Sequence, residues 1–297
     1  MTEVTDRAER DVQRTLEEGD RGSDSPEKPV EVQTRHRGGF FCHNRIFGPV
    51  TNDYGDLALL ACSLVTGMVD AASFANWSVF CGMQTGNTVI LGLSTATLPT
   101  NPHAWESTLV SIASYLVGAF FTFRITFWFV PAGALSNRFY ISLLFLLQGL
   151  LIILAAGLAT PQDLIPHNPP GETSEAIIHR VISNVRIVSL LPPLAFQSGM
   201  QIAVSRLLGF NELPVNVLTS TYCDLMGDPK LLAVHNVKRN RRFASAVLLL
   251  AGAIISGWLM RSSGGLYSVL YLAGGIKVLT AVLVFLFFKR KVVDDAK

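Results

Sequence analysis

Apolar positions in this chain fall in long unbroken blocks separated by polar loops, with neither the alternation of half-buried strands nor the single stripe of a soluble amphipathic helix. Six blocks, at about 57–80, 108–130, 139–159, 187–208, 243–260 and 265–288, approach the ~20 residues that a helix needs to cross hydrocarbon. Two further apolar stretches, about 85–98 and 215–227, are too short. At 1.5 Å per residue each covers roughly 20 Å of a core about 30 Å thick. They are expected as tilted short spans or as re-entrant half-helices. A half-helix must be enclosed by its neighbours or line a polar cavity, because lipid-exposed irregular backbone is not tolerated. The predicted fold is all-α: a polytopic membrane helix bundle of six long transmembrane helices plus two short ones.

Composition supports a membrane class. Hydrophobic residues make up 49% and charged residues 15% of the chain, with a mean hydropathy of +0.39. The charges are also unevenly placed, since more than half of the 22 acidic residues lie within residues 1–56. Residues 1–45 alternate Glu, Asp, Arg, Ser and Pro with few large apolar side chains, so they bury too little surface to offset the entropy of ordering. They are expected to form a disordered cytosolic tail. Residues 46–292 form the expected transmembrane domain, and 293–297 a short C-terminal tail. No apolar run stands near Met1, so the first span is expected to act as the targeting signal.

Basic residues set the orientation. Arg35, Arg37 and Arg45 precede the first span, Lys230, Lys238, Arg239, Arg241 and Arg242 crowd the 228–242 loop, and Lys289, Arg290 and Lys291 follow the last span. All three regions are expected to be cytoplasmic, and both termini with them. Lys238, Arg239, Arg241 and Arg242 are candidate contacts to anionic lipid. The plasma membrane is slightly preferred over internal membranes.

The chain carries the trace of an internal repeat. Gly67-Met68-Val69-Asp70-Ala71-Ala72-Ser73 reads against Gly199-Met200-Gln201-Ile202-Ala203-Val204-Ser205 at an offset of 132, and Thr85 meets Thr219 at an offset of 134, as Gly118-Ala119 meets Gly252-Ala253. The halves, about 55–160 and 186–290, share the order long, short, long, long. If the short segments cross, the repeats are parallel; if they re-enter, the repeats are inverted. Loop 99–107 has no Lys or Arg while 228–242 has five, which favours opposite sides of the membrane and inverted repeats.

Several polar groups interrupt the apolar blocks. Asp70 lies within the first span, with Thr66, Ser73 and Asn76 near it at helical spacing. An ionisable residue there is costly and marks a functional site by default. Gln84, Thr85, Gly86, Asn87 and Thr88 open the first short segment, whose N-terminal amides would suit an anion or a carbonyl oxygen. The bland alternative makes Thr85 or Asn87 an N-cap and interhelical glue. Asn216, Thr219, Ser220 and Thr221 are their counterparts, ending in Asp224. Lys277 sits mid-way along the last span, too deep to snorkel, so it needs Asp70, Asp224 or a water-filled cavity. Gln148, Gln197 and Gln201 add polar groups in facing segments.

No Walker loop, dinucleotide fingerprint, nucleophile elbow or metal-ligand spacing occurs, and Cys42, Cys62, Cys81 and Cys223 read as packing thiols. An enzyme, a cofactor, a bound metal and a nucleic-acid partner are therefore not expected. The partners expected are the lipid bilayer and a small solute.

Gly67-x-x-Asp70-Ala71-x-Ser73-Phe74, followed by Gln84-Thr85-Gly86-Asn87, resembles the YoaK-like family, domain of unknown function 1275, of small multi-pass membrane proteins, in its fungal form. The resemblance covers about 55–290. Its family motifs are Gly-x-x-Asp-Ala-x-Ser and Met-Thr-Gly-Asn, so Gln84 stands at the methionine position. In the second half Ile202 stands opposite Asp70. The resemblance implies a membrane bundle and adds little about activity. The functional expectation is secondary transport or permeation of a small polar or anionic solute, with Asp70, Gln84, Thr85, Gly86, Asn87, Thr219 and Lys277 as candidate binding residues. The alternative is a non-transporting scaffold or sensor.

Overall fold

The computed structural model describes residues 54–99, 104–130, 137–159 and 185–288. The expected tails at 1–45 and 293–297 lie outside these residues. Eight α-helices and one 3-10 helix account for 81% of the described residues, which contain no strand. The helices are α1 (Gly55–Trp77), α2 (Gln84–Ser94), α3 (Ala104–Phe129), α4 (Arg138–Ala159), α5 (Leu191–Leu207), α6 (Leu218–Met226), α7 (Val237–Arg261) and α8 (Gly265–Phe287). The 3-10 helix Val185–Leu190 leads directly into α5.

Five of these, α1, α3, α4, α7 and α8, are long and apolar enough to cross a membrane. The block at 187–208, expected as a sixth long helix, is instead a 3-10 turn joined to a 17-residue α-helix. Pro192 and Pro193 explain the switch. Proline is accommodated in the first turn of an α-helix, where its missing N–H is unpaired anyway, but it disrupts a helix interior. A second difference lies at α7, which starts at Val237 and takes the basic run 238–242 into its first two turns. Asn236 caps it, its side chain accepting from the Arg239 amide at 3.0 Å.

Named contacts fix the directions of the helices. Near the N-terminal end of α1, here the lower end, Ser63 Oγ lies 2.8 Å from Ser245 Oγ; near the upper end Asn76 donates to Met260 at 3.4 Å, so α1 and α7 run parallel. Between α4 and α8, Arg138 donates to the Phe288 carbonyl, Ser142 to that of Ala281 at 2.7 Å, and Gln148 meets Lys277, an antiparallel order. The upper apolar cluster joins Val69 and Ala72 of α1 to Leu191 and Leu194 of α5, Ile152 of α4 and Val269 of α8, with Val110 of α3 packed on it. A lower cluster joins Ala58 and Leu59 to Val204, Ile141 and Val284, with Ile125 of α3 against it. Thus α1, α4 and α7 run upward, and α3, α5 and α8 run downward. Since α1 ends and α3 begins at the upper end, α2 returns to the side it came from. Likewise α6 returns to the lower end between α5 and α7.

Three couples dominate the packing: α1 with α7, α3 with α5, and α4 with α8. The first two depend on glycine. A Cβ on Gly67 would lie 1.9 Å from the Leu249 carbonyl oxygen, and one on Gly252 would lie 2.0 Å from that of Leu64. A Cβ on Gly199 would meet the Tyr115 carbonyl at 2.0 Å, and one on Gly118 that of Phe196 at 2.2 Å. Backbones approach this closely only where side chains are absent, the small-residue packing of membrane helices.

Gly67→Leu and Gly199→Leu are expected to lower the melting temperature sharply, because the clash is with backbone and overpacking alone costs about 1–3 kcal/mol. Gly275→Ala, at a helical glycine whose Cβ would meet nothing within 4 Å, is the expected neutral control. Thermal unfolding in detergent would compare them.

Candidate functional site

Cys62, Thr66 and Asp70 stand four residues apart on α1, so they share one face, and all three are buried. Each anchors one level of a polar ladder. At the lowest level Lys277 of α8 reaches in. Its Nζ lies 3.0 Å from Cys62 Sγ and 2.6 Å from Gln148 Oε1 of α4, and it also donates to Gln201 Oε1 of α5. The Phe145 ring centroid is 5.9 Å away. The side chain is fully buried. No ion pair joins Lys277 to a carboxylate among the described residues, so the expected pairing with Asp70 or Asp224 is not found. Amide oxygens and a thiol sulfur stand in its place.

One turn higher, Gln201 Nε2 donates to Thr66 Oγ1 at 2.6 Å and to Asn216 Oδ1 at 2.7 Å. Asn216 Nδ2 donates to the Ser198 carbonyl at 2.8 Å. Asn216 precedes α6, and Ser198 lies nine residues before the end of α5, so the chain has folded back about 14 Å into the bundle before α6 begins.

At the third level, the segment after α1 makes the matching descent from the opposite end. Ser78 adopts φ 56°, in the left-handed region, and turns the chain back. The amides of Cys81 and Gly82 then donate to Asp70 Oδ1 at 2.9 and 2.7 Å. Asp70 thereby answers two backbone donors just ahead of α2, where the positive end of the helix dipole also favours a carboxylate. Its second oxygen, Oδ2, accepts no hydrogen bond among the described residues. The two descending segments meet at Gly82. A Cβ there would lie 3.0 Å from Asp70 Oδ2 and 3.5 Å from Asn216 Cγ.

Asn87 and Gln84 clamp the same segment from α2. Asn87 Oδ1 accepts from the Phe80 amide at 2.9 Å while its Nδ2 donates to the Phe80 carbonyl at 2.7 Å, as a neighbouring strand would. Gln84 Nε2 donates to the Cys81 carbonyl at 2.8 Å, and Ser111 Oγ of α3 donates to Phe80 at 2.7 Å. Neither Thr85 nor Asn87 is the N-cap; Met83 holds that position with no side-chain cap bond. At Gly86 a Cβ would crowd the Phe80 ring at 3.0 Å. Phe80 itself stacks on Phe74 at 4.6 Å.

From residue 58 to residue 283, spanning both descents and every level of the ladder, the chain matches the model of a family described as a protein of unknown function (DUF1275). The chain belongs to the DUF1275 family. No curated protein and no solved structure matches it.

The candidate residues of this DUF1275 protein separate by position. Asp70, Gln84, Gly86 and Asn87 gather around the 78–83 segment, and Lys277 lies at the bottom of the ladder. Thr85 and Thr219, matched at an offset of 134, are exposed on the outer faces of α2 and α6 and join neither group. Gln148, Gln201, Thr66 and Asn216, which complete the ladder, were legible only as polar residues among apolar ones. Ser111 carried no such signal, since small hydroxyl residues are common in membrane helices.

The basic run of α7 is largely committed to the protein's own bonds. Arg241 pairs with Asp56 at 3.0 Å and Glu212 at 3.1 Å, and Arg242 with Asp224 at 3.5 Å and Asp228 at 3.7 Å. Arg239 donates to the carbonyls of Leu231 and Ala233. Of the four residues expected to contact lipid, Lys238 makes no such bond among the described residues and is exposed. Asp228, in the loop before α7, is held below the ordinary carboxylate range by the Lys230 amide and then the Asn236 side chain, with Arg242 and Arg239 adding to the effect.

Asp70→Ala is expected to destabilise by about 1–3 kcal/mol for each of the two amides left without an acceptor. Asp70→Asn, which keeps an oxygen, should lose less. Thermal unfolding together with amide exchange at Cys81 and Gly82 measures both. At Asp228 the folded state holds the proton less tightly than the unfolded state. Its contribution is therefore complete above the unfolded value and is lost as pH falls through the lower, folded one. Asp228→Asn should speed Lys230 amide exchange at neutral pH, and wild type should match it only in strong acid.

Proposed function

We propose that this DUF1275 protein is a secondary transporter or permeation pathway for a small polar or anionic solute, rather than an enzyme. The observation that carries this reading is the buried run Lys277, Gln148, Gln201, Thr66 and Asn216, followed across Gly82 by Asp70. Helix packing is satisfied by small and apolar residues, so a connected polar run through the interior is costly unless something polar uses it. Secondary transporters bind near the midplane at the interface of repeats, between discontinuous helices.

The reading includes an inverted repeat. Gly67 and Gly199, 132 residues apart, each face a carbonyl, and the residues that supply those carbonyls, Leu249 and Tyr115, are 134 apart. Gly252 and Gly118 repeat the relation with Leu64 and Phe196, and the two descending tips, Gly82 and Asn216, are themselves 134 apart. The opposed directions of α1 and α5, α3 and α7, and α4 and α8 fit inverted rather than parallel halves. With its 3-10 lead, α5 reaches about 37 Å, enough to serve as a sixth crossing beside two re-entrant half-helices. The lower end, which carries Lys238, Arg239, Arg241 and Arg242, faces the cytoplasm in this reading, with both termini.

One observation favours the scaffold reading instead. Asp70 is closely bonded to the 81–82 amides, so its first role is to hold that segment, and the ladder is largely closed by its own hydrogen bonds. Uptake by proteoliposomes separates the two. Against a panel of small organic acids, amino acids and inorganic anions, wild type should accumulate at least one class. Gln201→Leu and Asn216→Leu should cut that uptake about tenfold or more, while exposed Thr219→Val leaves it unchanged. Full uptake by folded Gln201→Leu protein would overturn the proposed path.

A further inference from the structure

Resting on the transport reading, we infer that the ligand of the lower ladder is a small monovalent anion, held by Lys277 and Gln148. Lys277 has no part of its side chain open to solvent, and its three partners are the Cys62 sulfur and the amide oxygens of Gln148 and Gln201, with no carboxylate against it among the described residues. Burying a charge without a counter-charge is among the least favourable arrangements a protein interior holds. Beside it, Gln148 spends its oxygen on Nζ and leaves its amide nitrogen buried with no acceptor among the described residues. A buried lysine with no carboxylate beside it and an adjacent unsatisfied donor call for the same chemistry: a compact negatively charged group with oxygen or halide acceptors.

The internal electrostatics point the same way. Asp70 is too remote to neutralise Lys277, since Cys62 and Asp70 are eight residues apart on α1, about 12 Å of rise. It is also already committed to the amides ahead of α2. The repeat-related position in α5 is Ile202, so the N-terminal turn of α6 has no carboxylate of its own. Asn216, just ahead of that turn, connects through Gln201 to Lys277. At the centre of the bundle the carboxylate of Asp70 thus faces Lys277 and the inward N-termini of α2 and α6, whose dipoles also favour negative charge. That environment favours a further negative group, and the ligand supplies it. The repeat's asymmetry, carboxylate in one half and none in the other, leaves that place for a diffusible group.

The test is binding by the intact purified protein, independent of uptake. Melting temperature is measured with sodium formate, nitrate or chloride against sodium gluconate at equal ionic strength. At least one compact anion should raise it saturably, with little effect from gluconate. Lys277→Met should abolish the shift. Gln148→Glu guards against misfolding: it places a carboxylate beside Lys277, so the variant should melt above wild type without added anion and show no anion-dependent rise. No shift in wild type, an equal shift with gluconate, or a shift retained by Gln148→Glu would each overturn the inference. Binding without uptake would leave the anion site standing and overturn transport. Uptake confined to neutral or cationic solutes, with no anion shift, would do the reverse.

Discussion

Backbone that leaves a helix inside hydrocarbon must have its amides and carbonyls answered by the protein, and everything at the centre of this bundle follows from how that is done. Between α1 and α2 the answers come from side chains: Asp70 takes the amides of Cys81 and Gly82, Asn87 pairs with both backbone groups of Phe80, and Gln84 and Ser111 cover the carbonyls. Between α5 and α6, Ser205 donates to the Leu213 carbonyl at 2.8 Å and Asn216 is tied to Ser198. Each descent is thus built from polar residues that would otherwise be liabilities. Because the descents come from opposite ends, their tips meet in the middle, and the polar ladder exists only because they do.

This explains which parts of the fold were legible in the chain. That the chain is all-α, and roughly where its eight helices lie, follows from hydropathy, a signal summed over many residues. The two short segments were legible because 11 and 9 helical residues cannot reach across. Local backbone chemistry was less visible. Pro192 and Pro193 shorten α5, and Asn236 draws the basic run into α7, although a block of apolar residues reads the same in either arrangement.

The site was legible in its members and not in their roles. A carboxylate in a membrane block announces that it matters, but whether it faces a ligand or an amide depends on where an unwound segment runs, which hydropathy does not encode. Asp70 and Asn87 stand out in the sequence on energetic grounds, and the fold adds that both bond the unwound 80–82 segment. Thr85 and Thr219, paired by sequence offset, are both exposed, since a match at a fixed offset does not distinguish an inner from an outer face. Lys277 could be recognised as too deep to snorkel. That its companions are amides was beyond sequence, because Gln148 and Gln201 come together only through the docking of α4 and α5 beside α8.

The crossed glycine contacts also bear on biosynthesis. Gly67 packs on α7 and Gly118 on α5, so neither half of the chain holds its own closest partner. As the polypeptide leaves the ribosome, the first helix enters the bilayer with its glycine face unmatched and keeps it so until the seventh helix arrives. The segment carrying Cys81 and Gly82 can settle on Asp70 early, whereas the junction with Asn216 must await the later half. Maturation is therefore committed late, and a chain halted midway would expose an adhesive, small-residue surface to whatever insertion factors attend it.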